Sequence, residues 1–277
     1  MALMAALAAV VILEYRAASQ TPPLILTYRR SGGVAGFSEE LLVYEDGLAI
    51  YRRPGLESRA HLPSEVVDAF LLVLRSLEET GFSGSEAKPG AADFFSHDVL
   101  YASTGAEFKW VDEWASEEPL PAEVTVLSRL LDYAISYVLG DVWVNSASQA
   151  ANDVRLEVSL DRIVVKRGEE AFIKASILNV GKWSFSYDSP TPCDPDVKIQ
   201  VEPECCVVRY TQPRVGPKAY CIQMVVQRSL EPGETRINAA TIDVREDAQP
   251  GIYWVKASFP YGRSIIEVSL PFVVVEG

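Results

Sequence analysis

Two nearby stretches, "EELLVYEDGLAIYRR" (residues 39–53) and "LPSEVVDAFLLVLRSLEETG" (residues 62–81), decide how the first half of this chain folds. The first reads as two short strand-like runs turning at Asp46-Gly47, a strong hairpin signal. In the second the period changes. Val66, Val67, Phe70, Leu71, Leu74 and Leu77 recur at helical spacing, with Pro63-Ser64 suited to a helix start and Gly81 to its stop.

Working outward, residues 23–30, "PLILTYRR", alternate as a strand and lead into the glycine-punctuated stretch "SGGVAGF" (31–37). Downstream, "SHDVLYASTGAEFKWVDE" (96–113) predicts a second hairpin turning at Thr104-Gly105. "PAEVTVLSRLLDYAISYVLG" (121–140) predicts a second helix closed by Gly140. The order β-β-β-α-β-β-α describes an α+β N-terminal domain, an antiparallel sheet carrying two helices, over residues 20–140.

Residues 141–153, "DVWVNSASQAAND", lose periodicity and read as a linker. Beyond Val154 the helical pattern disappears. Short strand candidates alternate with Gly, Pro and Asp, including 154–160, 171–179, 235–243, 251–259 and 264–275. This predicts an all-β immunoglobulin-like sandwich C-terminal domain over 154–277, with Tyr253 near a sandwich corner.

The N-terminus carries an uncharged apolar run, Met1–Leu13, followed by the small residues Ala17 and Ser19. That run is short of the ~20 residues a membrane-spanning helix needs and fits a signal-peptide core. Residues 1–19 are therefore expected to be a signal peptide or membrane anchor, and the protein extracytoplasmic, secreted or membrane-anchored.

Four cysteines, Cys193, Cys205, Cys206 and Cys221, favour disulfides in an exported chain. On a strand, the side chains of Cys205 and Cys206 point to opposite faces. The expectation is one bond each to Cys193 and Cys221. A zinc site is the rival, but the only histidines, His61 and His97, lie in the other half and there is no CxxC.

Composition narrows the function. The net charge of −13 argues against nucleic-acid binding, which needs clustered Lys and Arg. Residues 20–140 carry −10 of it and would steer a basic partner to the first half. No HExxH, GxSxG or GxxxxGK[ST] is present, and the glycine loop lacks the lysine of a phosphate cradle. His97-Asp98 reads as an exposed strand pair rather than a catalytic one, since neighbours on a strand face apart. The acidic residues Asp112, Glu113, Glu117 and Glu118 lack the oxygen spacing of a calcium loop and read as a solvated connection. No catalytic residue, metal or cofactor is assigned.

The strings "RRSGGVAGFSEELLV", "LPSEVVDAFLLVL" and "GAADFFSHDVLY" resemble emfourin and its relatives, small proteinaceous inhibitors of thermolysin-like (M4) metallopeptidases. The resemblance covers about residues 23–138. It implies a non-enzymatic inhibitor that presents a loop to the protease cleft, the loop here being Arg30, Ser31, Gly32, Gly33, Val34, Ala35, Gly36 and Phe37. The partner it implies is a thermolysin-like metalloprotease. In the second half, "ASILNVGKWSFSYDS" and "LEPGETRINAATIDVREDAQPGIYWVKASF" resemble the BsuPI-type proteinase inhibitor domain and immunoglobulin-like modules generally. The alternative is a non-catalytic cell-surface interaction or structural protein.

Overall fold

The computed structural model describes residues 22–189, 195–211, 225–261 and 264–277. The expected segment 1–19 lies outside them. Strands β1 (Leu24–Gly32), β2 (Phe37–Tyr44), β3 (Leu48–Arg53) and β4 (Leu56–His61) precede helix α1 (Ser64–Glu79). Strands β5 (Phe95–Tyr101) and β6 (Ala106–Val111) then precede helix α2 (Ala122–Leu139). The six strands form one antiparallel sheet in the order β4-β3-β2-β1-β5-β6.

Both helices lie where the helical period places them. Helix α1 buries Val66, Phe70, Leu74 and Leu77, and α2 buries Val124, Leu127, Leu131 and Ala134, in a core shared with Leu26, Tyr28, Leu41 and Val99 of the sheet. Gly140, left-handed at φ 74°, closes α2. Strand β4 was not expected: "LESRAH" exposes Glu57 and Arg59 on alternate positions and gains strand form by pairing with β3 at the sheet edge.

The second half is all strand: β7 (Asn145–Ala151), β8 (Val154–Leu160), β9 (Val164–Lys166), β10 (Glu170–Asn179), β11 (Phe185–Ser189), β12 (Lys198–Glu202), β13 (Cys206–Tyr210), β14 (Val226–Leu230), β15 (Thr235–Val244), β16 (Gly251–Tyr261) and β17 (Ser264–Val275). A five-stranded sheet, β13-β15-β10-β8-β7, and a four-stranded sheet, β12-β16-β17-β9, enclose a common core in a β-sandwich-like arrangement; β11 and β14 pair separately. Alternate residues such as Leu156, Val158, Ile173 and Ile177 meet Val255, Phe259, Leu270 and Phe272 there. The Tyr253 hydroxyl donates to the Gln249 carbonyl at 2.6 Å, tying the corner before β16.

Three expectations are corrected. Residues 145–151, read as part of a linker, are strand β7, paired residue for residue with β8. Its small polar side chains hide the strand from any hydrophobic period, while its backbone and the fully buried Asn145 hold it in place. The irregular connection shrinks to 141–144. Nor are the halves separate: Ile163, Val164, Val273 and Val275 pack into the same apolar cluster as α1 and α2. Arg129 of α2 donates to Asn145 Oδ1 at 3.1 Å, and Asn145 Nδ2 donates to the Pro271 carbonyl at 3.0 Å.

The cysteine pairing is the third correction. Cys205 and Cys206 are bonded to each other. Cys205 stands just before β13 rather than within it, so the alternation that separates strand neighbours does not apply to this pair. Cys193 and Cys221, the expected partners, lie outside the described residues.

Candidate functional site

The glycine loop is the tight connection between β1 and β2, the central strand of the first sheet and its neighbour. Gly32 pairs with Phe37 on one side and with Phe95 of β5 on the other. Residues 33–36 form the turn, closed by the Gly36 N–H on the Gly33 carbonyl at 3.0 Å. Ser31, Val34, Ala35 and Gly36 are exposed, Val34 to 90%.

Gly32 is a positional requirement. At φ 133°, a Cβ there would lie 2.4 Å from the Phe94 carbonyl oxygen, a backbone atom that cannot step aside. With no side chain between them, the rings of Phe37 and Phe95 meet edge to face at 5.6 Å, and the Arg30 guanidinium lies over both, 5.7 and 5.5 Å from their centroids. The next segment along the sheet grips the turn itself. Gly33 N–H donates to the Phe94 carbonyl at 3.1 Å, and Val34 N–H donates to Asp93 Oδ1 at 2.8 Å. Asp93 takes this position in a left-handed conformation, φ 63°.

Beneath the loop runs a row of polar side chains across the helix-covered face. Arg30 is paired in register with Glu39 on β2 and His97 on β5, and His97 with Trp110 on β6. Arg30 contacts the buried Glu39 carboxylate at 2.6 Å and Asp132 of α2 at 3.4 Å. The remaining Glu39 oxygen accepts the Tyr51 hydroxyl at 2.6 Å, and burial together with that bond pushes the Tyr51 phenol up to about 12. His97 is stacked on Trp110 at 5.1 Å, with Nδ1 2.9 Å from the Tyr28 hydroxyl and Nε2 3.1 Å from Asp112 Oδ1. Asp112 Oδ2 accepts the Phe95 N–H at 2.8 Å. Burial holds the His97 imidazole below its ordinary range even though Asp112 favours the cation.

These contacts correct the reading of His97 as an exposed pair with Asp98. Its side chain is only 10% exposed and its partner is Asp112, fifteen residues on. Asp112 likewise is a bridge between two strands rather than part of a solvated run. The Tyr28–His97–Asp112 chain has the outline of a proton relay, but Tyr28 is 1% exposed and burial raises its phenol far above the ordinary range. The chain ends on a backbone amide at the start of β5, the strand that grips the loop. Its chemistry is that of a brace.

The same end of the sheet carries the segment before β5 and the segment after β6. They are tied together by the Lys88 N–H on the Ala115 carbonyl at 2.8 Å and by Lys88 Nζ on the Trp114 carbonyl. Trp114 is 54% exposed. Val34 and Trp114 are thus exposed apolar side chains on two connections that are both tied to the segment before β5. Among the described residues, no group of three or more His, Cys, Asp or Glu is placed to hold a metal, and no helix is long and apolar enough to cross a membrane.

All eight expected loop residues fall together here: Arg30 is the buttress, Gly32, Gly33 and Phe37 form the base, and Ser31, Val34, Ala35 and Gly36 face solvent. The supporting residues Asp93, Phe95, His97 and Asp112 were missed as a group. "GAADFF" marks a turn before a strand, and only the sheet order brings that turn against "SGGVAG".

No family model and no curated protein matches the chain. Solved structures similar to part of it include a β-glucosidase from Erythrobacter marinus, at 15% identity and TM-score 0.24, covering 48% of this chain and 16% of that one. Another is a family 123 glycoside hydrolase from Clostridium perfringens, at 16% identity and TM-score 0.23, covering 41% of this chain and 22% of that one. The chain therefore matches less than a quarter of the length of either enzyme.

Proposed function

We propose that this protein is a secreted or membrane-anchored inhibitor of a thermolysin-like (M4) metallopeptidase, which it engages by presenting the 30–37 loop to the protease cleft. In this reading the first half is an α+β inhibitor domain and the second an immunoglobulin-like sandwich. The observation that carries the proposal is Val34, an apolar side chain 90% exposed at the tip of a turn whose backbone is held from both sides. A loop already fixed in one shape loses little conformational freedom on binding, which is how short inhibitor loops reach useful affinity. The emfourin-like strings supply the protease class, and Val34 has the apolar character such a cleft accepts.

The test uses the full chain against a panel of M4 enzymes. Near-stoichiometric inhibition is expected. Val34→Asp should weaken it about thirtyfold or more, because an apolar anchor in a desolvated pocket accounts for ~2 kcal/mol. Full protease activity at saturating protein would overturn the assignment, and undiminished inhibition by the Val34 variant would move the contact to another loop. The second reading, a non-catalytic surface interaction protein, draws on a different observation: Val142 and Val144, 94% and 58% exposed, directly precede β7, an edge strand among the described residues.

A further inference from the structure

Strand β7 ends the five-stranded sheet, and its sequence NSASQAA carries no charge and no proline. Edge strands ordinarily discourage further pairing with charges, prolines or bulges. The other edge strands among the described residues follow that rule, with Arg59 on β4, Lys109 on β6, Arg209 on β13, Lys198 on β12 and Lys166 on β9. β7 does not, and the uncharged stretch runs from Val142 to Asn152. Its register with β8 is regular, Asn145↔Leu160 to Ala151↔Val154, so no bulge blunts it.

The tight turn at Asn152-Asp153, with Asn152 left-handed at φ 51°, makes Ala151 and Val154 a hydrogen-bonded pair. Alternate residues therefore turn their backbone groups outward: Ser146, Ser148 and Ala150. The Ser146 carbonyl is already taken by Arg129 at 3.1 Å. Ser148, Gln149 and Ala150 are all exposed, and there the outward groups are hydrogen-bonded to no other strand among the described residues.

We propose that β7 pairs antiparallel with β7 of a second copy of this chain, about a two-fold axis at Gln149. This register sets Ser148 of each copy opposite Ala150 of the other, each pair exchanging both its hydrogen bonds, and leaves the Ser146–Arg129 contact undisturbed. A register centred on Ser148 would need the carbonyl that Arg129 holds. The choice of a second copy rests on the self-complementary register, which the lack of charge along the edge permits. A chain of net charge −13 repels its own kind over most of its surface, and this edge brings no carboxylate against another. The pairing also sets the exposed Val144 beside the turn at Asn152-Asp153 of the other copy, adding apolar contact to the ladder.

Sedimentation equilibrium of the full chain over a wide concentration range tests this. A monomer–dimer equilibrium is expected that strengthens with added salt as repulsion is screened. Gln149→Lys and Gln149→Glu each place like charges face to face across the axis and should each weaken dimerisation about fivefold. An equimolar mixture of the two should restore it. Gln149 is exposed, so thermal unfolding of either variant at low concentration serves as the folding control. A monomer at every concentration overturns the proposal, and so do charge variants that dimerise like the parent or fail to rescue one another.

Discussion

Asp93 Oδ1 accepts the backbone N–H of Val34 at 2.8 Å across 59 residues of chain, so the exposed tip of one hairpin is held by the segment leading into another strand. If the tip is the protease contact, Asp93 sets its affinity without touching the enzyme. Asp93→Ala removes the acceptor and leaves a non-glycine residue at φ 63°, where alanine is strained by ~1 kcal/mol. Inhibition should weaken about tenfold, mainly through loss of preorganisation. Asp93→Asn keeps both an oxygen acceptor and tolerance of the left-handed region and should inhibit nearly as the parent does. Titration of a thermolysin-like protease with the three proteins reads this directly. Equal inhibition by Asp93→Ala would mean that the tip does not need its tether.

The His97 brace predicts a pH dependence. Burial lowers the folded-state pKa of His97 below the unfolded value near 6.5. Between those two values the unfolded chain binds the proton and the folded chain does not, so stability rises with pH through that window. Above about 6.5 neither state is protonated and His97 adds no slope. As pH falls below that point stability should decline until the folded-state pKa is passed. Replacing His97 with Gln should flatten this part of the profile, measured by denaturant midpoints across mildly acidic pH. An unchanged slope in the variant would place the proton uptake elsewhere.

Asn145 predicts coupling between the two halves. Its amide receives Arg129 from α2 and donates to the Pro271 carbonyl on β17, with no solvent exposure. Asn145→Ala leaves a guanidinium N–H and a carbonyl without partners, for a loss of about 2 kcal/mol. The parent should unfold in one transition because its apolar cluster is continuous across α1, α2, β9 and β17. Calorimetry should show the variant melting earlier, with the two halves beginning to separate into distinct transitions. An unshifted single transition would show that this contact contributes nothing to holding the halves together.

How legible these features were in the sequence depended on how far each signal reached. Helices α1 and α2 were readable because Val66, Phe70 and Leu74, or Leu127, Leu131 and Ala134, repeat within one element. The glycine-punctuated stretch after β1 was readable as a break between strands for the same local reason. Strand β7 was not: Ser146, Ala147 and Ser148 have no side-chain preference strong enough to mark a strand, and their order comes from β8 and from Arg129. The Asp93–Val34 and His97–Asp112 bonds were equally hidden. Each joins segments that only the pairing of β1 with β5 and β5 with β6 brings together.

The cysteine pair offers a check that depends on covalent chemistry alone. A Cys205–Cys206 bond lies within a single tryptic fragment, residues 199–209, bounded by Lys198 and Arg209. Digestion of unreduced protein under alkylating conditions should release that fragment as a free peptide lacking two hydrogens, with neither sulfur alkylated. Bonds from Cys205 and Cys206 to Cys193 and Cys221 would instead link fragment 199–209 to others, and reduction would be needed to free it. Cys205 is fully buried while Cys206 is partly accessible, so a reductant meets the bond from the Cys206 side. After reduction, Cys206 should alkylate first and Cys205 only as the sandwich opens. A cross-linked fragment in the unreduced digest would restore the pairing expected from strand alternation.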